Sequence, residues 1–164
     1  MTVKGHLALA SIPISALPGY FILEHWLGVC FLLLGSILPD IDEKGSYIGR
    51  KLYFLSGIFG DLGISHRGFT HFAIIPLTII LIGYIVNIDL LIWLGIGIFI
   101  HDVGDLLTKG GIKNFLYPFF EGTTFGLLPK KYRFYTFSFV EKLVILLFLV
   151  IDVILIMRGW LYYG

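Results

Sequence analysis

Long apolar runs separated by polar breaks set the pattern of this chain. Leu7–Leu23 is uncharged but interrupted by Pro13 and Pro18-Gly19, and Trp26–Leu38 is an uncharged run of thirteen residues. Gly68–Asn87 and Leu90–Leu107 form a close pair, the second carrying His101, Asp102 and Asp105 in its last turns. Val140–Met157 follows, with Asp152 inside it. A membrane-crossing helix needs about 20 mostly apolar residues. The pattern therefore predicts an all-α, polytopic membrane helix bundle of about five transmembrane segments. A four-span variant, with the first two runs as a re-entrant hairpin, fits the same pattern. Ser138 followed by Glu141 predicts a capping box at the start of the last helix, and Asp89 predicts an N-cap for the fourth. Residues 39–67 and 108–137 are long polar connections, and residues 1–164 read as one membrane-embedded domain without internal repeats.

Composition supports this reading. The chain is 57% hydrophobic and 14% charged, against roughly 45–50% and about 25% in ordinary soluble domains, and its mean hydropathy is +0.92. Small domains bury the smallest share of their surface, so the composition is expected to rule out a water-soluble monomer, a disordered chain and a nucleic-acid-binding domain of the usual basic kind. Cys30 is the single cysteine, which excludes an internal disulfide and a cysteine-based zinc cage; it is expected to pack as a small hydrophobe. The formal net charge of +1 says little until it is distributed. Every lysine and arginine except Arg158 falls on the side of the N-terminus and the two long connections. By the positive-inside rule that side is cytoplasmic, with the C-terminus outside, in a multi-pass protein of the cytoplasmic membrane.

Ionisable residues in such segments are costly and mark functional positions, and here they gather on one side. His6 opens the first run, and Asp40 and Asp42 follow Pro39 at the end of the second. His66 and His71 bracket the start of the third, and His101 and Asp105 stand four residues apart near the end of the fourth, on one helix face. Each has an ordinary explanation alone: an interfacial histidine as a hydrogen-bonded anchor, Asp40-Ile41-Asp42 as a helix-ending turn, Arg67 as a snorkelling arginine. Their convergence at one depth outweighs those explanations. Mixed imidazole and carboxylate ligands suit a divalent metal, zinc first and manganese or iron next, and more than four ligands suit more than one ion. Asp102 points about 100° away from His101 around the helix and stands beside the set. His25, next to Glu24, lies on the opposite side and is excluded, while Asp61, Asp89 and Asp152 read as caps or interior partners.

The segments Lys4-Gly5-His6, Leu38-Pro39-Asp40-Ile41-Asp42, His66-Arg67-Gly68-Phe69-Thr70-His71, and His101 with Asp105-Leu106-Leu107-Thr108 and Gly111 carry a likeness. The chain resembles the YdjM family, small inner-membrane proteins described as metal-dependent hydrolases, with LexA binding noted in the description. The similarity continues through Ser46-Tyr47-Ile48-Gly49-Arg50-Lys51 and Tyr117-Pro118, and so covers nearly the whole chain. The His-Arg-Gly-x-Thr-His element is its most specific part. The resemblance implies His6, Asp40, Asp42, His66, His71, His101 and Asp105 as the functional, metal-binding positions. Two departures stand out: Phe72 replaces the serine that commonly follows the second histidine, and Asp102 occupies a usually apolar position. A weaker resemblance, to the all-helical zinc-dependent phospholipase C group, favours phosphoesters as substrates.

The resulting expectation is a membrane-bound, metal-dependent hydrolase of phosphoesterase or phospholipase type. Its substrate would be a lipid or lipid-linked phosphoester at the cytoplasmic leaflet, with no nucleic-acid ligand. The LexA-binding description implies a protein partner. Asp42 or Asp105 would serve as general base, and Arg67 would stabilise charge on the phosphoryl oxygens. The alternatives are a divalent-metal or proton transporter, or a non-catalytic metal-stabilised scaffold. Transporter sites usually lie near the bilayer midplane between repeated halves, whereas these ligands collect at one end.

Overall fold

Pro18 prevents the first apolar run from continuing as one helix. The residue before a proline is biased away from the helical region, and Pro18 itself is extended, at ψ 143°. In the computed structural model, which describes residues 1–61 and 67–163, the run divides into α1 (Val3–Ser15) and the six-residue α2 (Gly19–Glu24). After α3 (Trp26–Gly35) comes a 3-10 turn over Leu38–Asp42 with Pro39 in its first positions. Ser46 then caps α4 (Tyr47–Lys51), its Oγ accepting from the Gly49 N–H at 2.8 Å, and α5 (Tyr53–Asp61) follows. A second 3-10 turn, Phe69–His71, leads into α6 (Ile74–Ile85). The two longest helices described are α7 (Asp89–Leu106) and α8 (Phe139–Tyr163). Between them β1 (Ile112–Lys113) pairs antiparallel with β2 (Thr124–Phe125), Ile112 opposite Phe125.

The central element is α7, packed against α3 and α6 and touched by α1, while α8 packs on α1. Glycines set the closest crossing. A Cβ on Gly35 would stand 2.3 Å from the Leu94 carbonyl oxygen, and one on Gly97 would stand 2.1 Å from that of Leu32. With hydrogen alone at both positions the two backbones can approach this closely. The crossing brings Ser36, just past Gly35, beside His101, one turn beyond Gly97. On the other flank, Ser11 and Ser15 of α1 donate to the Asp152 carboxylate of α8 at 2.7 and 2.8 Å, which makes Asp152 an interior partner. The Glu141 N–H donates to Ser138 Oγ at 3.1 Å, as the capping pattern implied. Asp89 is the first residue of α7 rather than its cap, which is Ile88. Cys30 is exposed rather than packed.

Helix length corrects the expected architecture. The helices α1, α3 and α6 have 13, 10 and 12 residues, rising about 20, 15 and 18 Å against a hydrocarbon core of about 30 Å. With 18 residues, α7 is longer but carries Asp89, Asp102 and Asp105; α8 carries Glu141, Lys142, Asp152 and Arg158. Among the described residues, no helix is long and apolar enough to cross a membrane. The polytopic bundle of about five transmembrane segments, its four-span variant and the termini assigned from it are therefore not supported. The physical reason is the break points inside the runs. Pro18 divides the first, and the third opens with the turn at Phe69–His71, so its helix starts only at Ile74.

Candidate metal centre

Three elements bring four polar residues together. Asp40 comes from the turn after α3, His71 from the turn before α6, and His101 and Asp105 from one face of α7. Each offers one ligand atom, and these atoms lie within 4.8 Å of one another. His71, His101 and Asp105 are completely buried, while Asp40 keeps 15% of its side-chain surface. Asp40 is thus the ligand nearest solvent. His6, from α1, lies at the edge of this group. Its ring stacks on His101 with centroids 3.7 Å apart, and its Nε2 is 3.5 Å from Asp105 Oδ1. Both His6 ring nitrogens are buried without a hydrogen-bond partner among the described residues. Asp42 stands one step behind, 3.5 Å from His71 Nδ1. His66 lies outside the described residues.

Hydrogen-bond directions decide what the two imidazoles present. Thr70 Oγ1 donates to Asp42 Oδ2 at 2.5 Å, and a carboxylate can only accept. The hydroxyl has one proton, so its oxygen accepts from His71 Nδ1–H at 2.9 Å. His101 Nδ1 faces the Ser36 carbonyl oxygen at 2.8 Å and must donate to it. Nδ1 of each ring therefore carries a proton, and the two Nε2 atoms face each other at 3.2 Å, an approach that needs a proton or a metal ion between them. Two lone pairs at that distance repel unless a cation lies between them. His71 Nε2 is 3.8 Å from Asp105 Oδ2, and His101 Nε2 is 3.7 Å from Asp40 Oδ1. Four ligands around one tetrahedral ion stand about 3.3–3.6 Å apart, given metal–ligand bonds of about 2.0–2.2 Å. The donor types and the inward-facing Nε2 atoms fit a divalent metal, and the ligand atoms, within 4.8 Å of one another, stand somewhat wider than a closed tetrahedral site.

The surrounding charges hold this arrangement. Arg67 sets its fork on Asp105, with Nε 2.7 Å from Oδ2 and Nη2 donating to Oδ1 at 2.9 Å. Its Nη1 donates to Thr108 Oγ1 at 3.1 Å and to the Gly111 carbonyl at 3.3 Å. Arg67 adopts a positive φ of 59°, an uncommon conformation for a non-glycine residue, and these four contacts offset its strain. The terminal ammonium of Met1 also meets Asp105. Burial lowers the His6 pKa from its ordinary 6.5, Asp105 only partly opposing it. Burial raises Asp40 above its ordinary 3.8, with His6 nearby acting the other way. His6 is therefore held neutral, as a ligand must be.

Sequence reasoning did not single out three contributors. Ser36 orients His101 through a backbone carbonyl, which no side-chain pattern could signal. Thr70 and Thr108 support His71 and Arg67; Thr70 lies within the His-Arg-Gly-x-Thr-His element, and that position was the available clue. Asp102 is fully buried, and neither of its oxygens has a hydrogen-bond partner among the described residues.

The family described as "YdjM inner membrane protein" matches residues 1–162, which include every element that carries a ligand. The chain belongs to the YdjM family. Within that family it is 30% identical over 96 residues to "Inner membrane protein YdjM" of Escherichia coli (strain K12), covering 54% of this chain and 48% of that one. The protein of the same name from Shigella flexneri matches to the same extent. The chain thus spans about half the length of these two YdjM relatives. It is also 32% identical over 147 residues to "Uncharacterized protein YvsG" of Bacillus subtilis (strain 168), with 88% of each chain covered. No solved structure matches. Family membership associates the chain with the inner membrane, while its described helices lend no support to a multi-pass topology.

Proposed function

We propose that this YdjM-family chain is a metal-dependent phosphoesterase acting on a lipid or lipid-linked phosphoester. One observation carries the reading: two buried imidazoles, each with its proton fixed on Nδ1, turn their Nε2 atoms toward each other at 3.2 Å beside two carboxylates. Asp40, His71, His101 and Asp105 would hold the ion, with His6 positioned to join through Asp105. A bound divalent ion, zinc first and manganese or iron next, supplies Lewis acidity toward a phosphoryl oxygen and acidifies water near neutral pH.

The chain's own residues do the rest. Thr70 and Asp42 keep the His71 proton on Nδ1, and the Ser36 carbonyl does the same for His101. Arg67, 17% exposed, balances the charge of Asp105 and brings a planar cation to where charge develops on the non-bridging oxygens. Of the two carboxylates expected as general base, Asp105 stands among the ligand atoms, whereas Asp42 lies behind His71 against its Nδ1. Asp40 marks the side from which a substrate oxygen approaches, since it alone of the four ligands reaches the surface. Two features support a lipid substrate: membership of an inner membrane family and large exposed apolar side chains on α6 and α8, such as Leu77, Leu81, Leu146 and Val150.

The test measures bound metal and turnover together. Purified protein should contain a transition metal, and His71→Ala, His101→Ala or Asp40→Ala should each lower its stoichiometry while His25→Ala does not. Metal-loaded protein should release phosphate or headgroup from a panel of phospholipid, lipid phosphate and lipid pyrophosphate, and chelation should stop it. If no member of the panel is hydrolysed but a divalent ion crosses liposome membranes, a transporter replaces the esterase.

A further inference from the structure

The start of α1 and the first turns of α8 enclose a groove of about 460 Å³. Val3, Phe137 and Ile145 form its apolar wall, and Lys4 and Lys142 stand at its polar side. Thr2 and Glu141 complete the lining, and the Glu141 carboxylate is already committed. It is 1% exposed, with Oε1 accepting from the Thr2 N–H at 2.7 Å and Oε2 from the Phe137 N–H at 2.6 Å. Lys4 and Lys142 are both exposed, and neither ammonium is paired with a carboxylate among the described residues. Charge available to a ligand in this groove is therefore positive, and it sits directly beside an apolar wall.

We propose that this groove binds an anionic phospholipid, with the headgroup phosphate on Lys4 and Lys142 and an acyl chain along Val3, Phe137 and Ile145. A free inorganic anion would satisfy the lysines and leave the apolar wall uncovered; a neutral lipid would cover the wall and leave the lysines unpaired. Only an anionic amphiphile answers both halves, and a family of inner membrane proteins meets phospholipids. The exposed side chains of Phe139, Leu143 and Leu146 continue the apolar surface along α8 beyond the groove. The groove also adjoins the metal centre, because Thr2 lines it and the neighbouring Met1 ammonium meets Asp105. The proposal deepens the lipid reading above by assigning the surface on which the lipid docks.

Binding is measured without turnover, on chelated protein in neutral detergent, so the two readings fail separately. Short-chain phosphatidylglycerol should bind more tightly than phosphatidylcholine of the same chain length. Lys4→Gln with Lys142→Gln should weaken phosphatidylglycerol binding by about fivefold per lysine, or about 25-fold for the pair. Lys4→Arg with Lys142→Arg should restore it, and Lys131→Gln, outside the groove, should leave it unchanged. Equal binding by wild type and the double Gln variant overturns the proposal, as does a comparable loss from Lys131→Gln. Displacement of the lipid by inorganic phosphate at equal concentration overturns the choice of a lipid. Retained binding with no hydrolysis on the metal-loaded protein sinks the esterase and leaves the groove assignment standing.

Discussion

Thr70→Val removes one hydroxyl and almost no volume, yet it reaches the metal centre through two hydrogen bonds. The Thr70 Oγ1 proton goes to Asp42 at 2.5 Å, and the oxygen accepts from His71 Nδ1 at 2.9 Å. Valine leaves the buried His71 Nδ1 without that acceptor, so the proton is free to move to Nε2, the atom that faces His101 and Asp105. A proton on the ligating atom competes directly with the metal. A hydrogen bond to a charged group contributes about 1.5–3 kcal/mol, and loss of a residue that orients a ligating histidine typically lowers metal affinity about 10–100-fold. Zinc affinity, measured by competition with a chromophoric chelator, should therefore fall by about that factor. Thr70→Ser keeps the hydroxyl and should stay within about threefold of wild type, a free-energy change of about 0.6 kcal/mol. The reasoning fails if Thr70→Val binds zinc as tightly as wild type while His71→Ala does not bind it.

The remaining predictions concern the scaffold and pH. Gly97→Ala places a Cβ 2.1 Å from the Leu32 carbonyl oxygen; it should cost about 1–3 kcal/mol in chemical denaturation and lower metal affinity by shifting the Ser36 carbonyl away from His101. Asp152→Ala removes the acceptor of two serine hydroxyls and should destabilise the fold by about 2–4 kcal/mol without changing metal stoichiometry. In the metal-free protein, burial holds His6 below its ordinary 6.5, so the unfolded chain takes up that proton first. Stability from this group is present above 6.5 and is lost as pH falls through it, by at most about 1.4 kcal/mol per pH unit; His6→Gln should flatten that slope in urea titrations. Asp40, raised by burial, stays protonated to higher pH than an ordinary carboxylate, so metal affinity should begin to fall at correspondingly higher pH on acidification, and Asp40→Asn should remove that part of the dependence.

Local chemistry was legible in the sequence because it depends on short spacings. The four-residue step from His101 to Asp105 places both on one face of any helix, and α7 presents them together. Ser138 and Glu141 form their local N–H bond as the capping pattern implied. The long-range use of the same side chain was not legible: the Glu141 carboxylate reaches the backbone of Thr2, whose position depends on α1 packing against α8. Helix extent was not legible for a related reason. Hydropathy records how apolar a run is, while the ends of the helices were set by Pro18 and by the turn at Phe69–His71, which shorten α1 and α6 below a membrane's thickness. Residue types alone brought His71, His101, Asp40 and Asp105 under suspicion, but their joint geometry belongs to the tertiary structure. It requires the backbone contact of Gly35 with Gly97, which carries the Ser36 carbonyl to His101 across 65 residues of chain. A sequence specifies which groups can ligate, and only packing decides which nitrogen of each ring is turned toward the others.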